Sequence, residues 1–215
     1  MVKESFSKAL AQLKKDAPER KFNQSVDLVF NLKDLDLKKP EEQVDFYLRL
    51  PKALKKRKKV CGLVGPELFE DANKILDKSY AQSEFERLTK KEIKVLAEQF
   101  DYFVAQANVM PKVAATFGRI LGPRGKMPNP KAGCVVAPKS NLVPVQEALT
   151  NTIRIRTRTA PILQISVGTT DMSDADLTEN ASAAYTAVVQ HLPKELNNLK
   201  NVYMKLTMSK PVKVL

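Results

Sequence analysis

Apolar and polar residues alternate along the chain near both of its ends. Five segments show this period of two, which indicates strands with one buried face and one solvated face. The alternating segments run from Val26 to Leu32, Val44 to Leu50, Ile153 to Ile155, Ile162 to Val167 and Val202 to Met208. Strands of this kind are typical of antiparallel sheets, so both chain ends are predicted to contribute to such a sheet.

Two helices are predicted beside these strands because apolar residues recur at steps of three and four. The first helix has its apolar stripe at Phe6, Ala9, Leu10 and Leu13, and the second, from about Ser173, at Leu177, Ala181, Ala184 and Val188. Strands and helices of the same kind at both ends predict one α+β domain that the two ends build together.

The middle of the chain alternates between short apolar strands and helices. The strands are predicted at Val60 to Val64, Tyr102 to Ala105 and Cys134 to Ala137. Thr89 and Glu92 have the spacing of a capping box, which predicts the start of one of the helices. Strands and helices that alternate with short linkers indicate a parallel sheet covered on both faces.

The chain is therefore predicted to combine two fold classes, α/β and α+β, in two domains. Residues 1–64 and 153–215 would form a split α+β domain, and residues 65–152 an inserted Rossmann-like three-layer α/β domain. The two crossings, near residues 62–66 and 150–155, would form a hinge between them.

The charge balance points to a polyanionic partner. The chain of 215 residues has 36 Lys and Arg against 24 Asp and Glu, a formal net charge of +12. With a pI near 9.6, this indicates a nucleic acid or an anionic membrane. No apolar run approaches the roughly 18 residues of a spanning helix, and the first helix is too charged for a signal peptide. We therefore expect a soluble cytoplasmic protein without a membrane partner.

Candidate catalytic chemistry is sparse. Cys61 and Cys134 both lie among apolar residues, which favours buried free thiols. His191 is the only histidine, so the sequence offers no metal-binding constellation and no base placed beside a nucleophile. We expect no catalytic residues, no metal and no cofactor, and the chain is predicted not to be an enzyme.

The stretch Gly118–Gly133, GRILGPRGKMPNPKAG, stands apart in composition. It contains four of the chain's seven glycines and three of its thirteen prolines, with four basic residues and no carboxylate. Gly122 and Pro123 predict the end of the preceding helix. An ordered, exposed, cationic loop is expected, because the prolines stiffen the backbone that follows. The cations expected to contact phosphate groups are Arg124, Lys126 and Lys131.

Two other interpretations of this glycine loop compete with phosphate contact. A nucleotide-binding P-loop needs a glycine five residues before the Gly-Lys pair and a Ser or Thr after it, where Ile120 and Met127 stand. The P-loop is therefore disfavoured. A basic turn that only solvates the domain stays open as an alternative.

Two further basic segments leave the same alternatives open. Lys52–Lys59 (KALKKRKK) is the densest charge run, and Arg154, Arg156 and Arg158 share one face of a predicted strand. Each segment is either a solvated surface or a contact for RNA phosphates.

The glycine loop resembles the signature of the L-one family of large-subunit ribosomal proteins. The resemblance extends along the whole chain, from KFNQSVDL at Lys21 to the pair Thr207 and Met208, and the segment LKDLDLKKPEEQV is more similar to the archaeal branch than to the bacterial one. It implies a split α+β domain that grips a structured element of large-subunit ribosomal RNA, and an inserted domain that bears the glycine loop.

The resemblance also implies a place and a set of partners. Members of the family sit on a mobile stalk of the ribosome near the exit of deacylated tRNA, and they can repress translation by binding a similar fold in their own mRNA. The implied partners are thus large-subunit rRNA, exit-site tRNA and the chain's own mRNA. We expect a cytoplasmic, ribosome-bound protein that is a monomer outside the ribosome.

Matching the motifs of the family residue by residue implies an RNA-binding surface in the split domain. Its residues are Lys21, Phe22, Ser25, Asp27, Asn201, Thr207 and Met208. Lys21 can bind a phosphate, and the hydroxyl and amide groups of Ser25, Thr207 and Asn201 can hydrogen-bond ribose hydroxyls. The Asp27 carboxylate can accept the proton of a 2′-hydroxyl, and Met208 can contact the apolar face of a sugar or base. Phe22 is either a stacking platform or a core residue. The implied secondary contacts are Arg124, Lys126 and Lys131.

One departure from the family pattern lies at the end of this surface. The family usually continues Thr-Met with Gly-Pro-Ser, whereas this chain has Ser209, Lys210 and Pro211. Loss of the glycine could change how closely the backbone approaches RNA, and Lys210 can add a charge contact. Two rival hypotheses remain, a nucleotide-dependent enzyme that uses the α/β domain and a DNA-binding regulator that uses the basic strands.

Overall fold

The computed structural model describes residues 2–18, 20–54, 58–138, 140–157 and 159–215. The chain forms two compact units, a split domain made of Met1–Lys56 with Asn151–Leu215 and an inserted domain made of Arg57–Thr150. The first crossing therefore precedes Val60, and the predicted boundary at residue 64 needs correction. The reason is that strand Val60–Val64 pairs within the sheet of the inserted domain.

The helices and strands follow one another with short connections. The strands are β1 Ser25–Leu32, β2 Asp45–Arg49, β3 Val60–Val64, β4 Lys78–Ala81, β5 Tyr102–Gln106, β6 Val135–Val136, β7 Thr152–Arg156, β8 Ile162–Thr169, β9 Leu199–Leu206 and β10 Val212–Lys213. The α-helices are α1 Val2–Asp16, α2 Phe69–Ile75, α3 Lys90–Gln99, α4 Met110–Arg124, α5 Val143–Asn151 and α6 Asp174–His191. No described helix has the length and apolar content needed to cross a membrane.

A four-stranded antiparallel sheet in the order β10-β9-β1-β8 is the framework of the split domain. Every second side chain of β1, from Val26 to Leu32, is buried, as the alternation predicts. These side chains share one hydrophobic core with the apolar stripes of α1 and α6. Strands and helices from both chain ends therefore form one α+β domain, which confirms the predicted class.

A second, two-stranded sheet in the split domain, here called the ribbon, consists of β2 and β7 in antiparallel pairing. One face of the ribbon carries four apolar side chains that pack against the core of the domain. These side chains are Phe46, Leu48, Ile153 and Ile155. The ring of His191, at the end of α6, stacks on Phe46 with 3.7 Å between ring centroids. His191 is itself exposed, as predicted.

The inserted domain contains a parallel sheet in the order β4-β3-β5-β6. One face of this sheet packs in a core with residues of α3 and α4, such as Ile93 and Phe117. The other face packs with residues of α2 and α5, such as Ala72 and Leu149. Helices therefore cover both faces, and the predicted three-layer α/β arrangement is confirmed.

The sequence pattern does not predict the edge strands β4 and β10. β4 is the four-residue segment KSYA, in which only Ser79 is buried, and β10 has two residues. Segments this short contain no full period of alternation. Pairing with a longer neighbouring strand makes them part of a sheet.

The start of α3 follows the predicted capping box. The hydroxyl of Thr89 accepts from the backbone N–H of Glu92 at 3.4 Å, and the carboxylate of Glu92 accepts from the N–H of Thr89 at 2.7 Å. The bond from the Thr89 N–H, together with one from the Thr89 hydroxyl to the same carboxylate at 2.8 Å, holds the pKa of Glu92 below its ordinary value. Two backbone donors that the helix leaves unpaired are thereby satisfied.

The end of α4 differs from the prediction. The helix passes Gly122 and Pro123 and ends at Arg124; it is followed by Gly125, whose φ of 68° lies in the left-handed region. The N–H groups of Gly125 and Lys126 donate to the carbonyls of Gly122 and Leu121, at 2.9 and 3.0 Å, which is a Schellman arrangement. Pro123 has no N–H to donate to the carbonyl of Arg119, and because it lies in the last turn this lost bond affects only the end of the helix.

Candidate RNA interface

The antiparallel sheet of the split domain has one face that α1 and α6 do not cover, here called the open sheet face. Its side chains are those of Ser25, Asp27, Val29 and Asn31 on β1, Asn201, Tyr203 and Lys205 on β9, Ile162, Gln164 and Ser166 on β8, and Lys213 on β10. All of them are partly or fully exposed. The face combines polar, aromatic and cationic groups, which suits contact with the sugars, bases and phosphates of RNA.

Asp27 lies at the centre of a row across three strands of this face. In the strand register it stands opposite Ser166 of β8 and Lys205 of β9. Burial raises the pKa of Asp27, while a hydrogen bond with Ser166 and the charge of Lys205 oppose that rise. The carboxylate remains a good acceptor for the proton of a ribose hydroxyl, the role expected from the sequence.

The end of the face where β1 begins is closed by a set of hydrogen bonds here called the tip cluster, formed by Gln24, Ser25, Thr170, Thr207 and Met208. The Thr207 hydroxyl accepts from the N–H of Ser25 at 3.0 Å, and the Thr207 N–H donates to the Ser25 carbonyl at 3.2 Å. The hydroxyl proton of Thr207 is not used in this pair of bonds, so it can be donated to a ligand.

Gln24 connects three segments of the tip cluster. Its side-chain oxygen accepts from the N–H of Met208 at 3.0 Å, and its backbone exchanges hydrogen bonds with Thr170 at 2.9 and 3.2 Å. Gln24 is only 4% exposed. Sequence reasoning missed this residue, although it stands between Phe22 and Ser25 in the motif KFNQSVDL. The residue positions the cluster and is too buried to present its side chain to RNA.

Two large apolar side chains next to the tip cluster face solvent. Phe22 is 51% exposed and Met208 is 56% exposed. Exposure on this scale excludes the alternative that Phe22 is a core residue. Aromatic and thioether groups held at the end of a polar sheet can stack on bases or pack on sugars.

Asn201 lies on the open sheet face but far from the tip cluster. It pairs with Asn31 across β1 and β9, six residues along β1 from Ser25. At about 3.3 Å per residue, this places the two ends of the face about 20 Å apart. The structure therefore brings Phe22, Ser25, Thr207 and Met208 together, with exposed Lys21 preceding them in the chain, and leaves Asn201 at the opposite end.

The substitution of the family's usual glycine by Ser209 fits the turn after β9. The Ser209 hydroxyl accepts from the N–H of Leu206 at 2.8 Å, and the Ser209 N–H donates to the Leu206 carbonyl at 3.2 Å. The φ of Ser209 is not positive, so the turn imposes no strain on a residue with a side chain. Ser209 thus stabilises the position of Thr207 and Met208.

Sequence reasoning also missed the cations and the aromatic ring in the middle of the open sheet face. Lys205 is adjacent to Asp27, and Lys213 stands opposite Tyr203 in the strand register. The alternation of β9 could have identified Tyr203 and Lys205, because alternate residues of a strand lie on one face and both share that face with Asn201. Lys213 had no such signal, since β10 is not predictable from the sequence.

In the glycine loop, two of the three predicted phosphate contacts have partners within the inserted domain. The guanidinium of Arg124 donates to the carbonyl of Lys94 at 3.1 Å and to the carboxylate of Glu98 at 3.0 Å. The Lys126 ammonium donates to the carbonyls of Ala97 and Phe100 at 2.8 and 2.7 Å, which satisfies acceptors at the end of α3.

Lys131 differs from these two cations because its side chain is exposed and has no hydrogen bond or ion pair among the described residues. Its backbone N–H donates to the side chain of Asn129 at 2.9 Å, which fixes the turn. Contact of Arg124, Lys126 and Lys131 with RNA stays a prediction. For Arg124 and Lys126, RNA would compete with the existing bonds.

The structure describes some, but not all, of the remaining residues that the sequence analysis singled out. Arg158 and residues 55–57 of the KALKKRKK run lie outside the described residues. Cys61 and Cys134 are buried free thiols, as predicted, and burial raises their pKa values to about 12 and about 11. Thiols with such pKa values are poor nucleophiles at neutral pH. Within the described part of the chain, no three His, Cys, Asp or Glu side chains could hold a metal ion.

The fold and the site together define a class: a two-domain protein with a split α+β domain that leaves one sheet face open and an inserted α/β domain. Residues 13–210 match the model of the family described as "Ribosomal protein L1p/L10e family". The chain belongs to this family, which confirms the resemblance stated from the sequence. Because the members are structural proteins, membership also confirms the prediction that the chain is not an enzyme.

Similar chains come from archaea, as the sequence predicts. A protein from Methanothermococcus thermolithotrophicus named large ribosomal subunit protein uL1 is 38% identical over 216 residues, which cover 100% of this chain and 99% of the relative. The proteins of the same name from Nanoarchaeum equitans and Thermococcus kodakarensis are 38% and 37% identical. These matches cover 95% and 99% of this chain and 98% and 97% of the relatives.

Proposed function

We propose that this chain is a structural RNA-binding protein of the large ribosomal subunit, present on the ribosome in the cytoplasm. In this proposal the split domain grips a folded element of large-subunit rRNA with the open sheet face and the tip cluster. The observation that carries the proposal is the pair of exposed apolar side chains, Phe22 and Met208, held beside hydroxyl groups at the end of a polar, cationic sheet face.

The groups on this surface would each contact a different part of the RNA. Ser25, Thr207 and Asn201 supply hydrogen bonds to ribose hydroxyls, and Asp27 accepts the proton of a 2′-hydroxyl. These contacts favour RNA over DNA because DNA lacks that hydroxyl. The lysines on or near the surface neutralise phosphates and make the affinity depend on salt. These lysines are Lys21, Lys205, Lys210 and Lys213.

Phe22 and Met208 account for why the target is a folded RNA and not a uniform duplex. A base stacks on an aromatic ring only when it is unpaired or at the end of a stack, as in a loop, a bulge or a junction. Bases stacked on aromatic side chains contribute about 1 to 3 kcal/mol each. The hydrogen bond from Gln24 holds the backbone of Met208 before RNA arrives, which lowers the ordering entropy that opposes binding there.

The linked activities implied by the family resemblance would use two surfaces, one on each domain. An mRNA that folds into a similar element would compete with rRNA for the open sheet face, which would repress its translation when free protein accumulates. Exit-site tRNA would meet the glycine loop of the inserted domain, where Lys131 and Arg119 are exposed. The protein would be a monomer outside the ribosome.

Filter binding tests the proposed function. The full chain is incubated with fragments of large-subunit rRNA in moderate salt, with excess duplex DNA as competitor. Retention of one discrete fragment despite the competitor is expected. Loss of every fragment to the competitor would leave only charge attraction and would contradict the proposal. Saturable ATP or GTP binding would instead favour the nucleotide-dependent alternative.

The repressor activity needs a separate experiment. The retained rRNA fragment is labelled and competed with transcripts covering the chain's own mRNA. Competition by one segment of that mRNA is expected, with a scrambled transcript of equal length as control. If no segment competes better than the scrambled transcript, the repressor activity is wrong and the rRNA-binding function stands unaffected.

A further inference from the structure

The outer face of the ribbon carries a set of arginines that the open sheet face does not include. The strand register pairs Asp45 with Arg156, Tyr47 with Arg154, and Arg49 with Thr152. The apolar side chains between them point to the core, so these polar side chains share the opposite face. Arg49 and Arg156 are exposed at opposite ends of the ribbon, about 13 Å apart along the strand direction.

The charges on this face are not balanced. Asp45 is the one carboxylate among the paired residues, and it accepts two hydrogen bonds from Arg154, at 2.9 and 2.7 Å. Within the described part of the chain, Arg49 and Arg156 have no hydrogen bond or ion pair. Neither of these two arginines therefore makes a polar contact among the described residues that would stabilise the fold. The arrangement is therefore poorly explained by the stability of the domain.

The choice of side chain is also unusual for this protein. The chain has 27 lysines and nine arginines, but all three cations on the paired residues of the ribbon are arginines. Lysine serves equally well where a surface only needs solubility. Arginine is preferred where a planar, forked donor must contact phosphate oxygens or stack on a flat ring. The Arg154 guanidinium already lies 5.5 Å from the centroid of the Tyr47 ring.

The ribbon is a separate sheet that is anchored in the core and leads, along the chain, to one end of the open sheet face. Its inner side chains are anchored in the core, where Ile155 is buried. Thr157, which follows β7, exchanges hydrogen bonds with Val44 at 2.9 and 3.1 Å. The chain then enters β8 at Ile162, which pairs with Asn31 at the Asn201 end of the open sheet face. The ribbon therefore adjoins the end of that face that lies far from the tip cluster.

We propose that the outer face of the ribbon is a second RNA contact, at which Arg49 and Arg156 bind phosphates of the sugar-phosphate backbone next to the element held by the open sheet face. This inference rests on the proposed function. The ribbon positions the RNA and adds affinity without reading its sequence, because phosphate contacts are the same for every sequence.

Two matched double variants of the full chain test the second contact. Arg49→Gln with Arg156→Gln removes two charges from the ribbon, and Lys8→Gln with Lys15→Gln removes two from the exposed side of α1. The probe is the rRNA fragment that the wild type retains against duplex DNA, titrated at several salt concentrations. Thermal unfolding verifies that both variants are folded.

The ribbon variant is expected to bind the fragment roughly 10- to 30-fold more weakly at physiological salt, with a salt slope lower by about 1.5 to 2 units. Its preference for this fragment over other RNAs should not change. A third variant, Arg49→Lys with Arg156→Lys, should recover the slope but only part of the affinity, because lysine lacks the forked donor.

Equal affinity and slope in the ribbon variant and the α1 variant would overturn the second contact while leaving the proposed function intact. The same unchanged slope is expected if the ribbon serves an acidic protein partner instead of RNA. If the wild type retains no fragment at all, both the proposed function and the second contact are wrong.

Discussion

The tip cluster and the glycine loop each contain a recognisable sequence motif, yet they use their side chains in opposite ways. At the tip cluster, buried Gln24 provides the hydrogen bonds that hold the turns, and Phe22 and Met208 remain exposed. In the glycine loop, Arg124 and Lys126 themselves make the bonds that hold α4 to the end of α3. A basic motif is therefore not by itself a binding surface, because its cations can be required by the fold.

The strongest test of this difference is replacement of Lys126 by Met. Two charge-assisted hydrogen bonds to the carbonyls of Ala97 and Phe100 would be lost, which should lower the free energy of unfolding by about 2 to 3 kcal/mol. Urea unfolding measures this loss, with Lys131→Met as control because Lys131 is exposed. Unchanged stability together with weaker RNA binding would mean that Lys126 contacts RNA, and that the cations of the glycine loop do not primarily serve the fold.

Replacement of Phe22 by Ala tests the other side of the comparison. The affinity for the retained rRNA fragment should fall by about 1 to 3 kcal/mol, because a stacking platform is lost. Stability should hardly change, since the ring is half exposed in the free protein. Val95→Ala is the matched control, an exposed apolar side chain of α3. A stability loss as large as the affinity loss would identify Phe22 as part of the packing instead.

Two glycines of α4, Gly118 and Gly122, test whether the glycine loop is built for the stability of the fold or for contact with a ligand. A Cβ added at Gly118 or Gly122 would have no atom within 4 Å, and neither residue has a positive φ. Gly118→Ala should therefore stabilise the inserted domain by about 0.5 to 1 kcal/mol. Gly122→Ala should gain little, because a Cβ on the residue before Pro123 disfavours the helical backbone. Thermal unfolding measures the gain. A gain accompanied by weaker tRNA binding would show that the bare backbone at these positions is kept for close approach of a ligand.

The smallest expected effect concerns the charge of Asp27. Because burial raises the folded-state pKa above the unfolded value, protonation of Asp27 stabilises the fold. This stabilisation is fully present below the unfolded pKa and is lost as the pH rises through the folded pKa. Asp27→Asn should therefore gain stability relative to wild type as the pH rises from 3 to 7. A constant difference between the two unfolding curves across that range would refute the raised pKa.

The sequence predicts the elements whose pattern is local. The alternation of β1 and the capping box of α3 each reside within eight residues, and the structure follows both. The same holds for the apolar stripes of α1 and α6. The motif also identifies the residues of the tip cluster, apart from Gln24 and Thr170. These features depend on side-chain periodicity and hydrogen-bonding chemistry that a short segment contains in full.

What the sequence does not predict depends on partners far along the chain. β4 is a strand because it pairs with β3, and Lys126 bonds to carbonyls 26 and 29 residues away. Gln24 is assigned its position by contacts with Thr170 and Met208, more than 140 residues later. Such pairings depend on tertiary packing, and no local pattern of charge or hydrophobicity predicts them.

The connections that Gln24 makes also set an order of events during synthesis. β1 is made early, but its neighbours in the sheet, β8 and β9, are made more than 130 residues later. The tip cluster cannot close until Met208 has left the ribosome. The inserted domain, by contrast, has all its strands between Val60 and Val136 and can fold sooner. A growing chain therefore cannot form the tip cluster until β8, β9 and Met208 have been made, so the proposed RNA surface is completed after the inserted domain can fold.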